Sequence, residues 1–194
     1  MLDLDPDRCA LVLIDLQKGI LGNGKAPRTG EEVVRQARLL ADRFRVLRAP
    51  VFRVRVGYSA GNVDRVRTPT DAAAPIPPGG LPADWLDDPE GLPRHPDDID
   101  ILKRQWNAFF GTELDLQLRR RGRTTVVLGG LVTPFGVEST ARAGWELNHA
   151  MVFPEDLSSA AAEELHAHAF TRIFPRLGRV TSTAAVLEAL APRS

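Results

Sequence analysis

The segment from Thr125 to Arg142 constrains the fold of this chain more than any other stretch. Its first half is apolar and β-branched, ends in Gly129 and Gly130, and passes through a Thr-Pro turn into a helix-like second half. Buried parallel strands have near-continuous apolar sequences of this kind. A strand that turns sharply into a helix directs the free N–H groups of the helix into the turn, where a ligand can bind. The segment therefore predicts a parallel α/β sheet with a binding site at the end of this strand.

Other apolar runs repeat the pattern of a strand followed by a helix. They predict strands over 9–15, 51–56, 100–104, 149–153 and 179–182, in addition to the strand that begins at Thr125. Strands that alternate with helices imply right-handed crossovers and a sheet covered on both faces. We therefore expect one domain over residues 1–194, with an α/β fold: a three-layer, doubly wound sandwich with a mainly parallel six-stranded sheet.

The helices are predicted from caps and apolar spacing. Thr29 followed by Glu32 is a capping-box pattern, and the helix behind it should bury Val33, Val34, Ala37, Leu40, Ala41 and Phe44. A helix capped by Thr112 should bury Leu114, Leu116 and Leu118, and one over 136–147 should bury Val137, Ala141 and Trp145. A further helix is expected over 159–174 and a terminal one up to Leu190.

The stretch Gly57–Asp98 interrupts this alternation, because it is rich in proline and glycine and shows little periodicity. An irregular segment of this length is unusual in a compact domain and is often functional, for instance as a lid or an interface arm. The alternative is a surface excursion with a short helix near Trp85. The sequence leaves both interpretations open.

Composition excludes several classes of function. The chain has 194 residues, is 43% hydrophobic and 26% charged, and has a formal net charge of zero, so we expect neither nucleic acid nor an anionic membrane as a partner. The acidic N-terminus does not resemble a signal peptide, and no apolar run is long enough to span a bilayer. With Cys9 as the only cysteine, an internal disulfide is ruled out. A soluble, cytoplasmic protein is expected.

Two charged residues at predicted strand ends are candidates for chemistry. Asp15 closes an apolar run, so burial should raise its pKa and a nearby ammonium group should lower it. Lys103 ends another strand in a chain that otherwise favours arginine, which suggests a need for a compact ammonium group. Together they form a plausible acid–base pair. The alternatives are a strand-end aspartate that accepts backbone hydrogen bonds and an ordinary solvated lysine.

Other residue types give weaker signals. Cys9 precedes Asp15 by six residues on one strand, or roughly 20 Å, so it is better explained as a core residue than as a nucleophile. His166 and His168 are two residues apart and face different sides of a helix, and we expect no metal and no cofactor. There is no Gly-x-Ser-x-Gly motif and no complete dinucleotide fingerprint.

Four segments resemble the motifs of the isochorismatase-like hydrolases, also called the cysteine hydrolase superfamily. Ala10–Gln17 is similar to the first motif, whose aspartate is catalytic, and Lys103–Leu118 is similar to the lysine motif. Val126–Arg142 is similar to the third motif, and Ile173–Ser182 to the final strand. The resemblance covers nearly the whole chain apart from the proline-rich stretch.

The resemblance implies a catalytic triad in which Asp15 and Lys103 match two members and Gly136 stands where the cysteine belongs. It also implies a cis peptide bond at Leu131–Val132, and an oxyanion hole made by the backbone N–H groups of Val132 and Gly136. In having glycine at this position, the chain resembles the true isochorismatases, which cleave a vinyl ether. It also resembles a bacterial branch of the family whose substrate is unassigned. A homo-oligomer, dimer or tetramer, is implied as well.

The leading hypothesis is a hydrolase of this class that acts on a small metabolite without a covalent intermediate, with Asp15 and Lys103 as the acid–base pair and Gly136 in the site. Arg53, Arg55 or Arg104 is a candidate ligand for a substrate carboxylate. The rival hypotheses are a catalytically silent member that binds a small metabolite or serves as a subunit, and an amidase with an unidentified nucleophile. The residues expected to line the pocket are Gln17, Tyr58, Trp106, Phe109, Thr133 and Phe135.

Overall fold

The computed structural model describes residues 2–72 and 80–190. Its strands are β1 (Cys9–Ile14), β2 (Val51–Val56), β3 (Ile99–Lys103), β4 (Thr125–Leu131), β5 (Ala150–Pro154), β6 (Ser158–Ser159) and β7 (Gly178–Thr181). Its α-helices are α1 (Lys18–Leu21), α2 (Gly30–Val46), α3 (Leu114–Arg120), α4 (Glu138–Glu146), α5 (Glu163–His168), α6 (Phe174–Leu177) and α7 (Thr183–Ala189).

The strands form one sheet in the order β3-β2-β1-β4-β5-β7, and the pairings along it are parallel. The α/β fold with a mainly parallel sheet is confirmed. The sheet has seven strands rather than six, because the short strand β6 pairs with the end of β4 through Gly130 and Leu131. The predicted start of a helix at residue 159 is wrong, because Ser159 lies in β6 and the helix begins only at Glu163; a wider turn over Ala169–Ile173 interrupts it.

Apolar clusters cover the sheet on both faces. One cluster joins the apolar side of α2 to Leu11 and Leu13, and the other joins α3 and α4 to Val12 and Ile14. The capping box of Thr29 and Glu32 is present, and the six predicted core residues of α2 are buried. Two predicted core residues are wrong: the exposed fractions of Leu116 and Trp145 are 47% and 53%.

The last part of the proline-rich stretch lies against β2 through a chain of arginines and aspartates. Arg53 is only 4% exposed and contacts Asp88 at 2.6 Å and Asp98 at 3.6 Å, while Arg45 of α2 contacts Asp98 at 2.6 Å. These ion pairs cover the face of β2 from which Arg53 projects. Turns, not a helix, surround Trp85, and residues 73–79 of the stretch lie outside the described part of the chain.

Among the described residues, no helix combines the length and the apolar character needed to cross a bilayer.

Asp98 should be required for stability, because its side chain has no exposed surface and lies between Arg45 and Arg53. We expect Asp98→Asn to lower the free energy of unfolding by about 3 kcal/mol, since removing one partner leaves buried charge uncompensated. Denaturation in guanidinium chloride measures this change. Asp97→Asn is the matched control, because the Asp97 side chain is 88% exposed, and an equal loss in both variants would contradict the prediction.

Candidate active site

The site lies where the sheet changes direction. The chain moves outward from β1 to β2 and β3, and then returns to place β4 on the other side of β1. Ligands of open α/β sheets bind at such a switch point, beyond the carboxyl ends of the strands. Asp15 follows β1, Lys103 ends β3, and a turn over Thr133–Val137 follows β4.

The structure places Asp15 and Lys103 in direct contact. The Lys103 Nζ donates to Asp15 Oδ2 at 2.6 Å, and the two residues are 1% and 5% exposed. The other carboxylate oxygen, Oδ1, is buried and has no hydrogen-bond partner within residues 2–72 and 80–190. Buried polar atoms are rarely left unpaired, so Oδ1 is the atom of this pair that is free to meet a substrate or a water molecule.

The backbone at Asp15 is unusual. Its φ of 52° lies in the left-handed region, which aspartate tolerates better than most residues, and its N–H donates to Val54 O at 2.8 Å. Such conformations concentrate at functional sites because they position a side chain at the expense of local strain. Burial raises the pKa of the Asp15 carboxyl to about 6, and the charge of Lys103 opposes that rise.

Lys103 reaches Asp15 across an intervening strand. Its strand, β3, is separated from β1 by β2, so the Lys103 and Asp15 side chains together bridge roughly 10 Å, twice the spacing of neighbouring strands. The backbone holds this arrangement, because the N–H of Gly57, which follows β2, donates to Lys103 O at 3.2 Å. A lysine suits this position because its charge is a compact group at the end of a long stem.

Gly136 lies beside the Asp15 carboxylate. A Cβ atom added to Gly136 would be 2.9 Å from Ile14 Cγ2 and 3.1 Å from Asp15 Oδ2. The backbone of Gly136 therefore approaches the ion pair as closely as a residue without a side chain allows. Its carbonyl accepts a hydrogen bond from Thr140 Oγ1 at 2.7 Å, and Thr140 in turn accepts from the Ala108 N–H at 3.0 Å.

The turn between β4 and α4 has a defined shape. The Leu131–Val132 peptide bond, which the resemblance implies to be cis, is cis in the structure. The Val132 carbonyl accepts hydrogen bonds from the N–H groups of Phe135 at 3.2 Å and of Val137 at 3.5 Å, which closes one wide helical turn before α4. Thr133 is fully buried in this turn, and its hydroxyl contacts Ser159 O at 3.0 Å.

The predicted pocket residues have different environments. Tyr58 and Trp85 line a cavity of about 420 Å³ bounded by residues 57–62 and 80–86. Burial raises the pKa of Tyr58, the charge of Arg65 opposes this, and the charge of Asp15 adds to it. Trp106 and Phe135 are 60% and 43% exposed and lie in contact, with ring centroids 4.7 Å apart.

Two of the predicted pocket residues have structural contacts instead. Phe109 lies in the core at 8% exposure and stacks on His149, which precedes β5 and so lies at the opposite edge of the sheet from Asp15. Gln17 is fully buried; its amide donates to Val56 O and Trp85 O and accepts from the Val56 N–H. Gln17 therefore fastens the segment around Trp85 to the end of β2.

The arginines that we considered as ligands for a substrate carboxylate are paired within the protein. Arg55 contacts Asp100 at 3.0 Å, Arg104 contacts Asp64 at 2.6 Å, and Arg53 has the aspartate partners described above. Carboxylates of the chain therefore hold all three guanidinium groups, and their binding of a substrate carboxylate stays a prediction. The aspartates that pair with these arginines lie on other segments of the chain. A single sequence motif does not show such partners.

Sequence reasoning missed the hydrogen bonds that support the turn. Thr140 follows Gly136 by four residues, a spacing at which a threonine hydroxyl bonds the preceding carbonyl of a helix. His166 was considered only as a metal ligand, but it is 3% exposed and its Nδ1 lies 2.9 Å from Thr133 Oγ1. Its spacing to the buried Ala169 and Phe170 could have identified it as an inward-facing residue. Across the described ranges, no group of three histidine, cysteine or acidic side chains is arranged to hold a metal.

The Asp15 carboxyl should titrate near pH 6, because burial raises its pKa from 3.8 to about 6. Carbon-13 NMR of the aspartate carboxyl groups measures this midpoint, and Asp64, with a pKa lowered to about 2 by its hydrogen bonds to Ser59, is the internal reference. Lys103→Met should raise the Asp15 midpoint further, because it removes the opposing positive charge. A midpoint near pH 4 in the unaltered protein would contradict the prediction.

The same titration affects stability. Because the pKa of Asp15 is higher in the folded protein than in the unfolded chain, the folded protein binds this proton more tightly. The contribution of Asp15 to the free energy of unfolding is therefore greatest below about pH 3.8 and is lost as the pH rises through about 6. The difference between Asp15→Asn and the unaltered protein isolates this contribution from that of other groups.

The comparisons with known proteins identify the family. The model of the isochorismatase domain matches residues 9–185. The isochorismatase family protein YecD of Escherichia coli is 49% identical over 190 residues, which cover 98% of this chain and 100% of YecD. A solved isochorismatase family protein from Burkholderia thailandensis is 40% identical, with a TM-score of 0.91 and 97% of each chain covered.

A third relative has a named reaction. The ureidoacrylate amidohydrolase RutB of Methylobacterium radiotolerans is 36% identical over 102 residues, which cover 52% of this chain and 40% of RutB. The resemblance noted in the sequence is confirmed: this chain belongs to the isochorismatase family.

Proposed function

We propose that this chain hydrolyses a small metabolite without a covalent enzyme intermediate, with Asp15 as the general acid and base and Lys103 as its electrostatic partner. The observation that carries the proposal is the state of the Asp15 carboxyl group. Oδ2 is held by Lys103 at 2.6 Å, whereas Oδ1 is buried and has no partner within the described residues. One oxygen is thus fixed and the other is available for proton transfer.

The acidity of Asp15 suits this role. A pKa of about 6 means that roughly one molecule in ten carries the proton at pH 7, while the remainder has a carboxylate that can accept one. General acids and bases are most effective when their pKa is close to the working pH. A solvated aspartate would be almost entirely ionised at that pH.

Vinyl ether hydrolysis is the reaction that this arrangement fits best. The protonated Asp15 donates its proton to the terminal carbon of the vinyl group, which forms a carbon–hydrogen bond and leaves an oxocarbenium ion. Water adds to that ion, and the Asp15 carboxylate accepts the proton that the water loses. The resulting hemiketal breaks into a ketone and an alcohol, so that no bond to the protein is formed at any step.

The position of Gly136 argues against the amide chemistry of the RutB relative. A cysteine nucleophile would have to stand beside Asp15, and Gly136 offers no side chain there. Loss of a covalent nucleophile typically lowers the rate by many orders of magnitude. Backbone N–H groups of the turn, those of Val132 and Gly136, remain as donors that can orient water or a substrate oxygen, as in an oxyanion hole.

The cavity beside Tyr58 is the proposed entrance for substrate. Its volume of about 420 Å³ suits a small metabolite, and Gly57, which lines it, donates its N–H to the Lys103 carbonyl at 3.2 Å. The exposed rings of Trp106 and Phe135 provide a neighbouring apolar surface. We place this surface at the mouth of the site because Phe135 immediately precedes Gly136.

Turnover should depend on Asp15 and Lys103 as a unit. A screen of the purified protein against vinyl ethers, carbamoyl compounds and small amides identifies a substrate. We expect Asp15→Asn and Lys103→Met each to reduce the rate of hydrolysis of that substrate by about 100-fold or more. The double variant should be little slower than Asp15→Asn alone, because the two residues act together. Asp97→Asn, an exposed change, should retain full activity.

Circular dichroism at the assay temperature separates this effect from unfolding. The double variant replaces the buried ion pair with two neutral groups of similar size, so it should melt at a higher temperature than Asp15→Asn, in which the Lys103 charge stays buried and unpaired. A folded Asp15→Asn with unaltered turnover would rule out the mechanism. A ligand that raises the melting temperature and is never consumed would favour a binding protein without catalysis.

Gly136→Cys and Gly136→Ala test whether the site is suited to a cysteine. Both changes place a Cβ within 2.9 Å of Ile14 Cγ2, so both should lower the free energy of unfolding by about 1–3 kcal/mol, as overpacking does. We expect no amide hydrolysis in either variant. If Gly136→Cys gains amidase activity while Gly136→Ala does not, the remaining site is intact and only the nucleophile is absent from the unaltered protein.

A further inference from the structure

A chain of polar groups, partly exposed at Arg28 and Glu155 and buried at His166, ends on Thr133, the first residue of the turn that holds Gly136 beside Asp15. Arg28 contacts Glu155 Oε2 at 2.8 Å, and Glu155 Oε1 lies 2.6 Å from His166 Nε2. The other ring nitrogen of His166, Nδ1, lies 2.9 Å from Thr133 Oγ1, which also lies 3.0 Å from Ser159 O. The mechanism proposed above uses none of these side chains.

The order of carboxylate, imidazole and hydroxyl is that of a hydrolytic triad, but the contacts of the hydroxyl group are those of a structural group. Thr133 Oγ1 lies against both His166 Nδ1 and Ser159 O, whereas Asp15 Oδ1 has no partner within the described residues. The three groups must therefore act on the position of the turn.

Counting protons shows that the contacts cannot all be hydrogen bonds when His166 is neutral. Carboxylate and carbonyl oxygens only accept, so His166 Nε2 must donate to Glu155, and Nδ1 then has a lone pair that accepts from Thr133. Thr133 has one hydroxyl proton, which leaves Ser159 O without it. When His166 is an imidazolium ion, Nδ1 donates to Thr133 Oγ1, and the hydroxyl proton is free to bond Ser159 O.

We propose that His166 is a positioning residue for the Asp15 site: its protonation state decides whether the Thr133 hydroxyl bonds the imidazole or the carbonyl of Ser159 in β6. In the protonated state, two hydrogen bonds in series connect His166, Thr133 and Ser159 and fasten the turn to the sheet. In the neutral state, the turn is fastened to the imidazole alone. The effect on catalysis rests on the function proposed above, but the switch itself does not.

The charges around His166 determine where the switch operates. Burial lowers the pKa of His166, and Arg28 lowers it as well, whereas Glu155 and, on its own helix, Glu163 raise it. Burial alone would raise the pKa of Glu155, but its bonds to Arg28 and His166 keep that pKa below its usual value, so Glu155 stays an acceptor. The uncharged ring of Phe170 stacks on the imidazole, with centroids 4.5 Å apart.

Two sets of NMR signals test the proposal without any substrate. Nitrogen-15 shifts of labelled histidine report the tautomer and the protonation midpoint of His166, and the amide signal of Gly136 reports the position of the turn. At pH 8 we expect a neutral His166 with the proton on Nε2. As the pH falls, the Gly136 signal should move at the His166 midpoint, in addition to a step at the Asp15 midpoint measured by carbon-13 NMR.

Thr133→Val and Thr133→Ser form the matched pair. Valine has the shape of threonine without the hydroxyl, so it should shift the His166 midpoint downward by about 0.5 pH units or more, because a charged buried donor loses its acceptor. It should also abolish the His166 step in the Gly136 signal and leave the Asp15 step. Serine retains the hydroxyl, so Thr133→Ser should keep both the His166 midpoint and the His166 step of the Gly136 signal. A purely structural role for Thr133 would change the melting temperature but not these midpoints.

Glu155→Gln keeps the test decisive if Thr133→Val does not fold. Removal of the negative charge should lower the His166 midpoint, and the His166 step of the Gly136 signal should move with it. A Gly136 signal that ignores His166 protonation in the unaltered protein, or a step that stays in place while the His166 midpoint moves, would overturn the proposal. Absence of turnover in every assay would contradict the proposed function alone.

Discussion

The buried ion pair between Asp15 and Lys103 is the interaction on which the architecture of the site depends. Two charges at 2.6 Å with almost no exposure are stable only when each compensates the other, because an isolated buried charge costs several kcal/mol. The pair also fixes strand register, since it joins the ends of β1 and β3 across β2. A slip of one residue would turn a strand-end side chain to the opposite face of the sheet.

The chain contains a second buried aspartate with basic partners, Asp98. Comparison of Asp98 with Asp15 distinguishes a carboxylate that only stabilises the fold from one that can bind a ligand. Both oxygens of Asp98 are engaged, Oδ1 by Arg45 and Oδ2 by Arg45 and the His95 N–H. A carboxylate that is fully bonded in this way stabilises the fold and has no capacity left for a ligand. Asp15 differs because one oxygen has no partner within the described residues, a left-handed backbone supports it, and burial raises its pKa.

The features that could be predicted from the sequence are those that local interactions determine. Strands β1 and β4 and the buried side of α2 are encoded by apolar periodicity, and strand ends in a parallel sheet share one edge, which is why Asp15 and Lys103 could be paired. Phe109 and the arginines of β2 could not be placed, because their environment is set by partners about 35 to 50 residues away such as Asp88, Asp98 and His149. Strand β6 was missed because its two residues are too few to show a period.

Gly136 is better understood as part of a closely packed arrangement than as a missing side chain. The Ile14 methyl group and Asp15 Oδ2 lie where a Cβ and its substituents would need space, so the carboxylate and the backbone of the turn approach one another directly. Thr140 holds the Gly136 carbonyl, and Thr133 anchors the start of the same turn. Rigid support of this kind is what backbone donors require, because an N–H group that stabilises developing charge is effective only when it is already oriented. A site that has no nucleophile to form a bond depends on such orientation for its whole effect, which makes the contacts behind the turn as important as the ion pair in front of it.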